Sequence, residues 1–155
     1  MSEKEAVMET SKFLGMENRV LLTSGETEGA VGVIDIAIQP GAGAPLHTNT
    51  REALLWYVID GTLTIQTQEG PVQVAEGSAT FLAKGATQTF VNMSDRPVRA
   101  LLVCMPGGFE GFLLELSGKL PADLPTGPPS PEATELIVRT AERYGSKVHL
   151  EEMPS

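Results

Sequence analysis

The chain has a single cysteine, few basic residues and no long apolar run, and each shortage excludes something. Cys104 has no partner for an internal disulfide, so nothing calls for an oxidising compartment and a cytoplasmic address is expected. Lys and Arg number 11 against 20 Asp and Glu, a formal net charge of -9. A surface with that excess of carboxylates repels phosphate backbones and anionic lipid headgroups, which argues against nucleic acid and membrane surfaces as partners. Met1 to Asn18 mixes Glu and Lys throughout, and no apolar stretch is long enough for a signal peptide or a membrane span. A soluble, unexported protein is the expectation.

What is present points to β structure. The 155 residues suit one domain with one core, and 16 Gly with 11 Pro imply many tight turns. From Arg19 onward, short apolar runs alternate with turn residues. The runs are Arg19 to Leu22, Val31 to Ile38, Ala53 to Ile59, Leu63 to Thr67, Val72 to Val74, Ala79 to Leu82, Thr87 to Asn92 and Val98 to Met105. Between them stand pairs such as Pro40 and Gly41, Asp60 and Gly61, Glu76 and Gly77, and Lys84 and Gly85. These residues tolerate positive φ or fix it, and strands at this spacing predict an antiparallel sandwich or closed barrel.

After Met105 the period changes. Phe109, Phe112, Leu113 and Leu116 recur at helical spacing, and a proline-rich stretch follows that can hold neither helix nor paired strand. Ser130 before Pro131 then opens a second helix that stops at Gly145, with Leu136, Ile137, Thr140 and Tyr144 as its apolar stripe. The expected organisation is an N-terminal segment over 1–18, a barrel over 19–106, a short helix over 107–120, a linker over 121–130, and a helix and tail over 131–155. Such a tail can cover a barrel opening or shield an outer sheet face or dimer contact, and the second is the plainer expectation.

Two blocks carry a resemblance. In the first, His47, Asn49 and Leu54 stand at fixed intervals between Gly41 and Gly61; in the second, Gly77, Ala83, Gly85, Gln88 and Asn92 do the same. Together they resemble the paired sequence motifs of the cupin superfamily. Leu14 and Gly15, the Pro106 to Glu110 step, the proline linker and the helix end at Glu142 to Gly145 are similar to its small quercetin-dioxygenase-like members. The resemblance implies an all-β fold, a double-stranded β-helix or jelly-roll barrel, here with a short C-terminal helical extension. It also implies a homodimer.

The same resemblance implies a metal site of three imidazoles and one carboxylate, and this chain keeps only His47 of those four. Asn49 and Gln88 supply neutral amides at two slots and Leu54 supplies an alkyl group at the carboxylate slot; amide oxygens bind first-row transition metals less well than imidazole. No cofactor is expected. If a divalent metal does bind, its ligands are His47, Asn49, Gln88 and Glu52, although Glu52 is read more simply as a solvated carboxylate beside Arg51. His47 is either a satisfied buried imidazole or a proton carrier, the catalytic candidate. Strand parity sets Leu54 with Trp56, and Gln88 with Phe90. Asn49, Leu54, Trp56, Gln88 and Phe90 are therefore the candidate ligand-binding residues, with core packing as the alternative for Trp56 and Phe90. Cys104 reads as a small buried apolar residue.

The function expected is a metal-independent or weakly metal-binding barrel that takes a small, largely apolar metabolite, as an isomerase, cyclase or lyase using His47. The alternatives are a metal-dependent, dioxygenase-like oxidoreductase with an unusual ligand set and a non-catalytic small-molecule-binding module. Whether the chain is an enzyme at all is left open.

Overall fold

Alternation is what makes residues 53–60 a strand. Leu54, Trp56 and Val58 are buried while Tyr57 between them is exposed, the period-two pattern of a strand with one face in a core. In the computed structural model, which describes residues 9–150, the same logic repeats along the chain. Its strands are β1 (Glu9–Phe13), β2 (Met16–Leu22), β3 (Gly32–Ile38), β4 (His47–Asn49), β5 (Ala53–Asp60) and β6 (Leu63–Thr67). They continue with β7 (Gly70–Val74), β8 (Ala79–Leu82), β9 (Thr87–Val91) and β10 (Val98–Met105), then helices α1 (Glu110–Leu116) and α2 (Pro131–Arg143), then β11 (Ser146–Val148).

Two antiparallel sheets result, one of six strands in the order β1-β2-β3-β10-β5-β8, the other of five in the order β11-β4-β9-β6-β7. Their inward residues, among them Ile34, Ile36, Ile38, Trp56, Val58, Leu63, Ile65 and Leu102, form one continuous buried cluster. This is the all-β jelly-roll barrel with a short C-terminal helical extension.

The strands reach beyond residues 19–106 at both ends. Residues 1–8 of the expected N-terminal segment and 151–155 of the expected tail lie outside the described residues. Of that N-terminal segment, β1 pairs with β2 through a two-residue hairpin in which Leu14 and Gly15 both have positive φ. The amides of that turn donate to the carbonyls of Pro121 and Ala122 at 2.7 and 2.9 Å, so the proline-rich segment clasps the hairpin. At the other end β11 pairs with β4. Close backbone approach is needed once near the barrel interior: a Cβ on Gly43 would lie 2.2 Å from the carbonyl oxygen of Phe90.

Outside the barrel, Asp35 points away from the core yet is buried. Arg19 and Arg99 cover it with hydrogen bonds of 2.8 and 2.7 Å, and the Arg99 bond above all holds its carboxyl below the usual range.

Helix α2 starts where the sequence requires. The Ser130 hydroxyl accepts from the Ala133 amide at 3.1 Å and Pro131 occupies the first turn. No helix among the described residues is long and apolar enough to cross a membrane.

Candidate functional site

His47 and Gln88 are direct cross-strand partners in the β4–β9 pair, so their side chains emerge on one face at the distance antiparallel geometry sets. Asn49, two residues after His47, shares that face. From the opposite sheet β5 contributes Leu54 and Trp56, and β9 adds Phe90, whose ring centroid lies 4.9 Å from that of Trp56 at a 54° tilt. All six residues line one cavity of about 80 Å³ inside the barrel. A single water needs roughly 10–15 Å³, so the cavity has room for several waters.

The imidazole is held in one protonation state. Nδ1 lies 2.7 Å from the carbonyl oxygen of Pro45, which can only accept, so Nδ1 carries the proton. Nε2 then presents its lone pair to the Gln88 amide nitrogen, which donates across 3.0 Å. Burial disfavours the imidazolium and lowers the His47 pKa; the Pro45 bond partly opposes this, and the charge of His149 adds to it. His149 is fixed nearby through Thr48, whose hydroxyl is 2.8 Å from its Nε2.

Three of the residues that line this cavity carry four buried polar atoms with no hydrogen-bond partner: Nδ2 and Oδ1 of Asn49, Nε1 of Trp56 and Oε1 of Gln88. Buried polar groups in folded proteins are overwhelmingly paired, because each orphan costs about 1–3 kcal/mol. These two donors and two acceptors lie behind a wall whose open surface is almost wholly apolar, unpaired in this conformation. Ile36, Leu102, Phe13 and Met16 supply much of the apolar surface.

The C-terminal segment closes the barrel, contrary to the expectation of an outer shield. Phe109, Phe112 and Leu113 around α1, Ile137 and Ala141 of α2, and Ser146 and Val148 of β11 all line the cavity. The apolar stripe of α2 thus buries against the barrel mouth and against α1, where Phe112 meets Tyr144 at 6.4 Å in a T-shaped contact. The sequence carried the stripe but no sign of its target, and β11 is too short to announce itself as a strand.

Glu52 is also corrected. It is 4% exposed instead of solvated, and it lines a separate cleft with Glu110, Arg51 and Tyr144 instead of the barrel cavity. Its Oε1 has no partner. Burial pushes its pKa up to about 7, against the opposing charge of Arg51 and with a further push from Glu110. Glu110 is itself a structural clamp, accepting from the amides of Ser24 at 2.6 Å and Gly108 at 2.7 Å. Cys104 is buried, and burial pushes its thiol well up from its usual range, so it does not act as a thiolate here.

Residues 35–104 match the family profile of the cupin domain. The barrel has the cupin fold. Solved structures similar to it include a sugar phosphate isomerase of the cupin superfamily from Silicibacter pomeroyi, 20% identical, covering 68% of this chain and 75% of that one with a TM-score of 0.56. A polyketide cyclase from Streptomyces resistomycificus is 17% identical over 68% of this chain and 78% of that one, TM-score 0.57. An ectoine synthase from P. lautus is 19% identical over 64% and 70%, TM-score 0.56. At these identities the likeness is one of fold. No curated protein matches the chain in sequence.

Cupins often hold a divalent metal, and the donor set here does not fit one. Of the four ligand slots, one bears an imidazole whose free lone pair is already taken by Gln88, two bear neutral amides and one bears Leu54. Among the described residues no group of three or more His, Cys, Asp or Glu is placed to hold a metal ion. A divalent cation there would lose its water without a carboxylate or a second imidazole in exchange.

Proposed function

We propose that this cupin barrel binds one small, largely apolar organic molecule without a resident metal, and that His47 moves a proton on it in an isomerisation, cyclisation or lyase reaction. The observation that carries the reading is an apolar cavity inside the barrel whose lining includes one neutral imidazole and no carboxylate. A neutral buried imidazole is a competent base: rotation of the Gln88 amide away from Nε2 frees its lone pair, and Nδ1 donates to Pro45 throughout, stabilising the imidazolium once formed. The fold neighbours named above as an isomerase, a cyclase and a synthase are in keeping with proton-transfer chemistry on small molecules.

Native mass spectrometry of the full chain purified without added metal tests the reading. It predicts a non-covalent organic adduct that dissociates on denaturation, and His47→Ala protein that keeps the adduct and loses turnover of it. Near-stoichiometric Fe, Mn, Ni or Zn with no organic adduct would overturn the metal-free site, and turnover retained in His47→Ala would overturn the role of the imidazole.

A further inference from the structure

The barrel cavity is too small to be the whole of a ligand site. Sites for small molecules usually enclose roughly 300–1,000 Å³. The cavity beside His47 has about 80 Å³, whereas a second hollow next to it has about 520 Å³. This larger space is a groove bounded by the β3–β4 loop, strand β9, the proline-rich segment and helix α2, with Met93, Leu124 and Leu150 exposed along it.

Groove and cavity share a wall. Leu14, Pro45, Phe90, Ile137 and Val148 line both spaces, so at each of them the partition is one residue thick. Leu14, Ile137 and Val148 are only half-buried, and the last two belong to the C-terminal segment. Pro45 is the residue whose carbonyl holds the His47 ring. The end of a molecule lying in the groove therefore reaches the imidazole by displacing side chains, whose rotamer changes are fast, and no strand has to part.

Charge and shape narrow the occupant. No Asp, Glu, Lys or Arg among the described residues lines the groove, in a chain of which 20% is charged. Its polar side chains are Gln66, Thr89 and Thr134, and the Thr89 hydroxyl is spent on the Ala44 carbonyl. A charged group placed there would leave water with nothing to compensate it. An apolar groove backed by a narrow apolar cavity gains most from a long hydrocarbon, because each methylene laid along it is removed from water.

We infer that groove and cavity form one site for an elongated, uncharged, apolar molecule, whose body lies along α2 and whose narrow end reaches His47. The inference rests on the binding reading proposed above and adds the class of ligand and its path.

Straight-chain alcohols from 1-butanol through 1-hexanol and 1-octanol to 1-decanol test it. Calorimetry reports binding. Trp56, the only tryptophan in the chain, lines the cavity and not the groove, so its emission reports entry. Affinity is expected to climb about fourfold per methylene as far as decanol, with a saturable change in Trp56 emission. Decanoate is expected to bind at least about tenfold more weakly than decanol. Val138→Lys places a charge on the groove alone and should weaken decanol at least about tenfold while leaving butanol unchanged. Met93→Lys, at an exposed position outside the core, should weaken decanol at least about fivefold in the same selective way.

Affinity that stops climbing after butanol, with Trp56 responding, would confine ligands to the cavity and overturn the inference while binding in the barrel stands. A climb to decanol with no Trp56 response would show that the groove does not open to the cavity. Decanoate equal to decanol would overturn the uncharged class. If a second copy of the chain covers the groove instead, sedimentation velocity will show a dimer that Met93→Lys dissociates, and the inference falls. If no alcohol binds, it falls together with the reading beneath it.

Discussion

The Gln88 amide nitrogen lies 3.0 Å from Nε2 of His47, directly across the β4–β9 pair, and donates to it. That bond, with the Pro45 carbonyl on the other ring nitrogen, makes His47 a neutral imidazole with a defined tautomer. In Gln88→Glu a carboxylate replaces the amide donor and favours a proton on Nε2. The His47 pKa should rise by at least about one unit, read from its ring nitrogen shifts by NMR. An unchanged titration would mean that Gln88 does not control the ring.

The missing ligands can be put back. Asn49→His with Gln88→His places three imidazoles on the face that now carries one, from positions already oriented by strand pairing. The double variant should bind Zn²⁺ at one equivalent and at least about 100-fold more tightly than the parent in a calorimetric titration. Equal affinity in the two proteins would show that donor identity is not what keeps the parent site free of metal.

How much of this the sequence disclosed depends on the range of the interaction involved. The strands from β5 to β10 could be read almost residue by residue, because their apolar alternation and Gly turns are local signals. The facing of Leu54 with Trp56, and of Gln88 with Phe90, followed from parity alone. The hairpin at Leu14 and Gly15 was hidden because leucine rarely takes positive φ, and here the turn is held by amide bonds to Pro121 and Ala122 more than a hundred residues away. Strand β11 was equally hidden, since three residues acquire strand structure only by pairing with β4. Glu52 was misread for a related reason: burial of a carboxylate is a tertiary event that runs against the usual exposure of its residue type.

That buried carboxylate makes stability depend on pH. In the unfolded chain Glu52 loses its proton near pH 4.5, whereas in the folded protein it keeps the proton until about pH 7. Between those values unfolding releases a proton, so its stabilising contribution is full below pH 4.5 and is lost as pH rises through 7. The loss should be about 2 kcal/mol, less than the full shift would give because solvent in the open cleft screens the charge. Chemical denaturation from pH 4.5 to 8 should show this decline for the parent and a flatter profile for Glu52→Gln. Identical profiles would mean that Glu52 ionises normally.

The C-terminal segment that lines the cavity is fastened in part by side chains of the β4–β5 turn. The Thr50 hydroxyl donates to the carbonyl of Gly145 at 2.6 Å, and Nη1 of Arg51 donates to that of Arg143 at 3.1 Å. Both bonds hold the end of α2 just before β11, whose Ser146 and Val148 line the cavity. Removing both in Thr50→Ala with Arg51→Ala leaves the two sheets' own ladders intact, while the segment loses roughly 1 kcal/mol per bond. Local opening should then outpace global unfolding. Amide hydrogen exchange in β11 should accelerate at least about tenfold, with β3 and β10 unchanged. Uniform acceleration across all strands would show that these two bonds support the whole barrel and not the closure over its mouth.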